Sequence, residues 1–298
     1  QSIILKKQYS YINTSFENNW KIFPDLLVEK CEQIKGKKLL ILNYPGNPTG
    51  VSYSSSELEI IANICRENNT IILSDEIYGR LHHTNNHQSI AKYFPEGTII
   101  TSGLSKWCGA GGWRLGTMVI PKKLQLIQDS IAAVSSETFS CVSSPVQYAA
   151  ITAFNNDKTI DNYLFHSRRI LSAIGNYCSK ILSDARIKVH PPDGGFYLFA
   201  DFSNYIDFFN SKNIKTSNQF CSQLLKDTGV ALLPGSVFGR PKEEFTARLA
   251  YVNFDGAEAL RTSETLVDNN ELTIEDLIHI IKSLKSGISL IVDWLETN

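Results

Sequence analysis

The chain has 298 residues, 43% of them hydrophobic and 20% charged, with a formal net charge of -1. That is ample apolar material for two domains, and the near-zero charge gives no electrostatic pull toward nucleic acid. No run of about eighteen apolar residues occurs, so no segment reads as a membrane-spanning helix.

In chain order, residues 39–44, 70–74, 98–101 and 115–120 read as strands: short apolar runs, rich in β-branched side chains and bounded by turn residues. Between the first two, Ser54-Ser55-Ser56-Glu57 is a capping-box pattern that opens a helix running to about Glu67. Strand, helix, strand at this spacing predicts βαβ units and a mainly parallel α/β sheet, which binds ligands beyond the carboxyl ends of its strands. From about residue 157 a long helical pattern runs to 182. Residues 187–202, 230–233 and 248–254 then read as strands around a helix near 218–225, and a closing amphipathic helix is expected from about 273 toward 294. Cys31, Cys65, Cys108, Cys141, Cys178 and Cys221 are scattered without a CxxC pair, and no histidine stands at metal-ligand spacing. The thiols read as reduced, with Cys108 alone near the chemistry, and no metal site is expected.

The most informative run is SGLSKWCGAGGWRLG, residues 102–116, which sets Lys106 eight residues ahead of Arg114 with glycines between and around them. A primary amine beside a glycine-rich turn and a guanidinium reads as a site that holds a phosphate and offers the amine to a carbonyl, the combination pyridoxal phosphate requires. On its own such a loop more often only turns the chain. Two further motifs precede it, NYPGNPTG at 43–50 and SDEIYGRL at 74–81. With these in order the chain resembles the fold-type I pyridoxal-phosphate enzymes, specifically the class I and II aminotransferases, over nearly its whole length.

The resemblance implies a large cofactor-binding domain, its sheet sandwiched by helices, over residues 1–155. A bridging helix and a smaller C-terminal α+β domain would follow over 156–298. It implies that the first residue, Gln1, already lies inside the large domain. The start of that domain, with phosphate-binding N–H groups and a ring-stacking aromatic, would then be missing. Residues 1–298 alone are accordingly expected to be catalytically inert and prone to aggregate through an uncovered sheet.

The resemblance also assigns roles. Asp75 would keep the pyridine nitrogen of pyridoxal 5'-phosphate protonated, although a strand-end Asp taken alone is more often a cap or a solvated group. Tyr78 and Asn47 would hydrogen-bond the ring's 3-oxygen, Asn47 otherwise being a residue of a Pro-Gly-rich turn. Lys106 would hold the cofactor covalently and, once displaced, shuttle a proton at the substrate α-carbon. Arg114 would clamp the phosphate bidentately. The family often has Ser three positions before the lysine where this chain has Gly103, which leaves Ser102 and Ser105 as competing hydroxyl contacts. Arg248, in TARLAYVNF, matches the arginine that grips the substrate α-carboxylate, and Asn47 would share that contact. PPDGGFYLF (191–199) and LLPGSVFG (232–239) are expected to shape loops at the mouth of the site rather than perform chemistry.

The function implied is an aminotransferase moving an amino group between an L-amino acid and a 2-oxo acid, with aspartate and 2-oxoglutarate as the family default. No Arg occurs from 115 through 167, where one branch of the family carries an arginine for acidic side chains. A lyase of the same fold would keep every residue named, and so would a non-catalytic aminotransferase-like module of a transcription regulator. The full-length protein is expected to be a cytoplasmic homodimer without nucleic-acid or membrane partners.

Overall fold

The computed structural model describes residues 8–155, 157–266 and 272–296. The first half comprises α1 (Pro24–Gln33), β1 (Lys38–Asn43), α2 (Ser55–Glu67), β2 (Thr70–Asp75), β3 (Thr98–Gly103), β4 (Gly116–Val119), α3 (Gln125–Thr138) and α4 (Ser144–Phe154). The strands form one sheet in the order β1-β2-β3-β4, with β1, β2 and β3 parallel and β4 antiparallel to β3. Capping sets the start of α2 as the sequence predicts. The Glu57 N–H donates to Ser54 Oγ at 3.3 Å, the Ser54 N–H donates to the Glu57 carboxylate at 2.7 Å, and Lys21 pairs with Glu57 at 3.0 Å.

One face of this sheet is a finished core. Leu40, Leu42 and Ile72 pack beneath Leu27 and Cys31 of α1 and Leu58, Ile61 and Cys65 of α2. The alternate residues point the other way, and there Leu39 is 56% exposed and Ile41 64% exposed. An apolar cleft of about 330 Å³, lined by Leu39, Ile71, Leu73, Ile99, Ile127 and Ile131, separates that face from α3.

The second half begins with α5 (Lys158–Asp184), capped by Asp157, whose carboxylate accepts from the Thr159 N–H at 2.7 Å. There follow β5 (Tyr197–Asp201), α6 (Ile206–Ser211), α7 (Ser217–Thr228), β6 (Leu233–Pro234), β7 (Thr246–Ala250), α8 (Gly256–Thr265), α9 (Ile274–Leu277) and α10 (Lys282–Glu296). Strands β5, β7 and β6 make a three-stranded antiparallel sheet in that order. Its core is continuous with that beneath the active-site turn, since Tyr78, Leu104 and Trp107 share a cluster with Ile174 and Cys178 of α5 and Ile288 and Ile291 of α10. Residues 8–23 also tie to this half. Trp20 packs edge-on against Phe199 at 5.0 Å, and Arg240 lies over Trp20 while donating to the Thr14 carbonyl at 2.7 Å.

The elements depart from expectation in three places, each with a local cause. The strand expected over 187–202 is reduced to β5, because Pro191 and Pro192 lack N–H donors and Gly195 turns at φ +66°; isolated bridges from Lys188 to Asp201 and from Gly194 to His82 remain. The strands expected at 230–233 and 248–254 are offset to β6 and β7, since residues 233 and 234 are the ones that meet Arg248 and Ala247. The closing helix is broken between α9 and α10, where the β-branched Ile278, Ile280 and Ile281 fall together.

One-sided burial of the large sheet has a measurable consequence. In urea unfolding, Ile72→Ala is expected to cost about 2–4 kcal/mol and Ile41→Ala, on the open face, under about 1 kcal/mol. Equal losses at the two positions would mean that both faces are packed.

Candidate active site

The three parallel strands end together, and each hands over to one chemistry-bearing segment. Asn43 leads into NYPGNPTG, Asp75 into DEIYG, and Gly103 into the turn that carries Lys106. Strand β4 runs the other way, so Gly116 pairs with Gly103 and Arg114 arrives at the same edge. A Cβ at Gly103 would sit 2.6 Å from the Leu115 carbonyl, which accounts for glycine at the position where the family often has serine. The Lys106 turn is pinned by Trp107, which is buried, packs on Phe154 at 5.7 Å and is covered by the Arg80 guanidinium at 4.7 Å.

Lys106 is half-buried, and its Nζ lies 5.9 Å from the ring centres of both Tyr78 and Phe196. The Tyr78 hydroxyl donates to the Tyr197 hydroxyl at 3.3 Å. Burial first, and the Tyr197 hydroxyl second, push the Tyr78 phenol far above its usual ionisation range.

Two adjacent carboxyls have opposite surroundings. Glu76 is held by His87 Nε2 at 2.9 Å, Ser89 Oγ at 2.7 Å and Ser74 Oγ at 2.8 Å, and Tyr44 reaches it at 3.4 Å. Burial alone would raise its pKa, but these hydrogen bonds and the His87 charge outweigh burial and hold it below the ordinary glutamate value. Asp75 receives a side-chain hydrogen bond from Thr101 Oγ1 at 3.3 Å, and it forms no ion pair with a described residue. Burial therefore dominates and raises its pKa, against the lowering effect of the Ile77 N–H and Thr101.

Arg248 lies on β7 opposite Phe199, and its Nη1 donates to Asn47 Oδ1 at 2.8 Å. Its guanidinium is flanked by the Tyr197 ring at 4.3 Å and the Phe238 ring at 5.3 Å. It forms no ion pair with a described carboxylate, and its buried Nε lacks a partner. Asn47 is steadied in turn, its N–H donating to Asn43 Oδ1 at 2.7 Å. Arg114 is the exception: it is exposed, sits at φ +56°, and folds its Nη1 back to the Gly111 carbonyl at 2.7 Å. Asn47, Asp75, Tyr78, Lys106 and Arg248 thus gather at the junction of the two sheets, with Arg114 at the outer edge of the Lys106 turn.

This donor set suits a phosphorylated pyridine aldehyde. It offers an amine for the aldehyde, a half-buried carboxyl without a paired cation for a ring nitrogen, a phenol and an amide for a ring oxygen, and an acid-free guanidinium for a carboxylate. Sequence reasoning missed Phe196 and Tyr197, which it had placed in a mouth-shaping loop, and also the Glu76–His87 pair. The GGFY run next to a strand was the available signal. His83 fastens that loop, its ring nitrogens 3.0 and 3.1 Å from the Pro192 and Gly195 carbonyls.

Because the Asp75 pKa is raised in the folded chain, its ionised form costs stability at pH 7, and that cost vanishes below the ordinary carboxylate value. Asp75→Asn is therefore expected to raise the urea midpoint of the cofactor-free chain at pH 7, with the advantage shrinking as pH falls through the raised value toward 4. A lower midpoint at pH 7 would mean that a cation pairs with Asp75.

The family model for aminotransferase class I and II matches residues 6–260. The chain is 33% identical over 251 residues to a probable N-acetyl-LL-diaminopimelate aminotransferase of Bacillus subtilis, covering 84% of this chain and 59% of that protein. It is 34% identical to an aspartate aminotransferase of Bacillus sp. strain YM-2, covering 81% of this chain and 59% of the relative. It thus spans 59% of the length of these curated relatives. Among solved structures, an aromatic aminotransferase from Pyrococcus horikoshii superposes with a TM-score of 0.76 at 25% identity, over 95% of this chain and 65% of that one. An aspartate aminotransferase from Thermus thermophilus with maleate gives 0.71 at 26% identity, over 85% and 61%. The motifs, the strand order that brings them to one edge and these relatives agree, and the chain belongs to the class I and II aminotransferases.

Proposed function

We propose that the protein is a pyridoxal-phosphate-dependent aminotransferase, with residues 1–155 as the cofactor-binding domain and 156–298 as the bridging helix and small domain. The observation that carries this reading is the convergence of Lys106, Asp75, Tyr78, Asn47 and Arg248 where two sheets meet. Asp75 would hold a proton on the ring nitrogen, which would relieve the cost of its unpaired charge. Tyr78 and Asn47 would hold the ring oxygen, and Arg114 would take the phosphate once its guanidinium leaves the Gly111 carbonyl. When bound, the cofactor supplies an electron sink for the bond broken at the substrate α-carbon. Arg248 holds the substrate carboxylate, its orientation fixed by Asn47 and the two flanking rings. Lys106 removes the α-proton and returns it, the step for which an amine on a rigid glycine-bounded turn is suited.

Aspartate with 2-oxoglutarate is the first substrate pair to assay, on the family default and on relatives such as the Bacillus sp. aspartate aminotransferase. A homodimer is proposed on the same family ground. A cytoplasmic location rests on six free thiols, four of them buried, which suit a reducing compartment. No described helix is long and apolar enough to cross a membrane.

The test is a half-reaction. In a protein of the relatives' full length, with cofactor and aspartate but no acceptor, amino-group transfer is expected to release one oxo acid per site and then stop, and Lys106→Ala to abolish the release. Continuous ammonia production would favour elimination instead, and cofactor uptake with no product would favour a sensing module.

A further inference from the structure

Tyr197, inside the PPDGGFYLF run, touches both halves of the site. It is 7% exposed and opens β5 one residue beyond the Gly194-Gly195 turn, after Phe196. Its hydroxyl accepts from Tyr78 at 3.3 Å, while the face of its ring lies 4.3 Å from the Arg248 guanidinium. Its backbone is held as well: a Cβ at Gly50, in the loop that carries Asn47, would come within 2.5 Å of the Tyr197 carbonyl. Asn47 closes the loop by accepting from Arg248 at 2.8 Å. Filling space would need only the ring; the hydroxyl, buried and bonded to another phenol, has a separate partner.

We propose that Tyr197 is a positioning residue with two separable functions: its ring orients Arg248 for a carboxylate, and its hydroxyl aims and polarises the Tyr78 phenol. A hydroxyl can donate and accept at once. When Tyr78 turns its proton to a ligand oxygen, Tyr197 is able to donate to Tyr78 in return, and a hydrogen bond so received strengthens Tyr78 as a donor. This deepens the aminotransferase reading and rests on it for the ligand at Tyr78. The carboxylate half rests on the guanidinium alone.

The test compares Tyr197→Phe with Tyr197→Leu in the 298-residue chain, with melting temperature as the folding control. Maleate affinity of the cofactor-free chain, measured by calorimetry, is expected to stay within about twofold in the Phe variant and to fall about fivefold or more in the Leu variant. In cofactor-loaded protein, the pH midpoint of the cofactor's visible absorbance is expected to rise by roughly half a unit in the Phe variant, as Tyr78 becomes a weaker donor. Equal loss of maleate affinity in both variants, or an unmoved midpoint with Phe, overturns the proposal. If the unaltered chain develops no visible band with cofactor, the pyridoxal reading fails, and the maleate comparison still decides whether the Tyr197 ring orients Arg248.

Discussion

The hydrogen bond from Arg248 to Asn47 joins the two sheets at the point where every other part of the site is referenced. Arg248 comes from the middle of an antiparallel strand in the second half, Asn47 from the loop after the first parallel strand, and the two lie 201 residues apart in sequence. A guanidinium with aromatic rings on its flanks has few orientations open to it, so the bond fixes direction as well as distance. The close approach of Gly50 to Tyr197 removes further freedom, since any side chain there would drive the loop and β5 apart. In the proposed role of Arg248 as a carboxylate anchor, the anchor would thereby be built before a ligand arrives, which is how binding energy becomes available for chemistry rather than for ordering.

Around that seam the electrostatics are uneven. Glu76 is surrounded by donors, and Tyr44, 0% exposed, links it to the strand before it. Its neighbour Asp75, one residue earlier and on the opposite side of the strand end, is left with weak partners and a raised pKa. One carboxyl serves the scaffold; the other sits where its ionised form is disfavoured. A carboxyl whose ionised form is disfavoured is common where a protein awaits an ionic ligand. Adjacent residues with the same chemistry are separated in role by the hydrogen bonds available on each side.

Much of this was legible in the sequence, for a physical reason. Lys106, Asp75 and Asn47 stand next to strand ends and beside glycines or prolines, so short-range pattern places them on the ligand-binding edge. The capping box at Ser54 and the long helix α5 were readable because caps and apolar periodicity are local properties. Tyr197, Phe196 and His87 were not, since their partners Tyr78, Lys106 and Glu76 are brought to them by tertiary packing. The strand expected across Pro191 and Pro192 and the unbroken helix across Ile278, Ile280 and Ile281 overrated apolar content and underrated missing donors and β-branching. Arg114 was read as a clamp, and its guanidinium here bonds its own turn.

The central claim is that the Lys106 amine is the group that meets the cofactor's aldehyde. The most direct measurement is to incubate the chain with pyridoxal phosphate, reduce with borohydride and map the modified peptide by mass spectrometry. The account predicts the adduct on Lys106, with labelling weakened by Asp75→Asn and absent in Lys106→Ala. An adduct concentrated on any other lysine, with Lys106 unmodified, would contradict it.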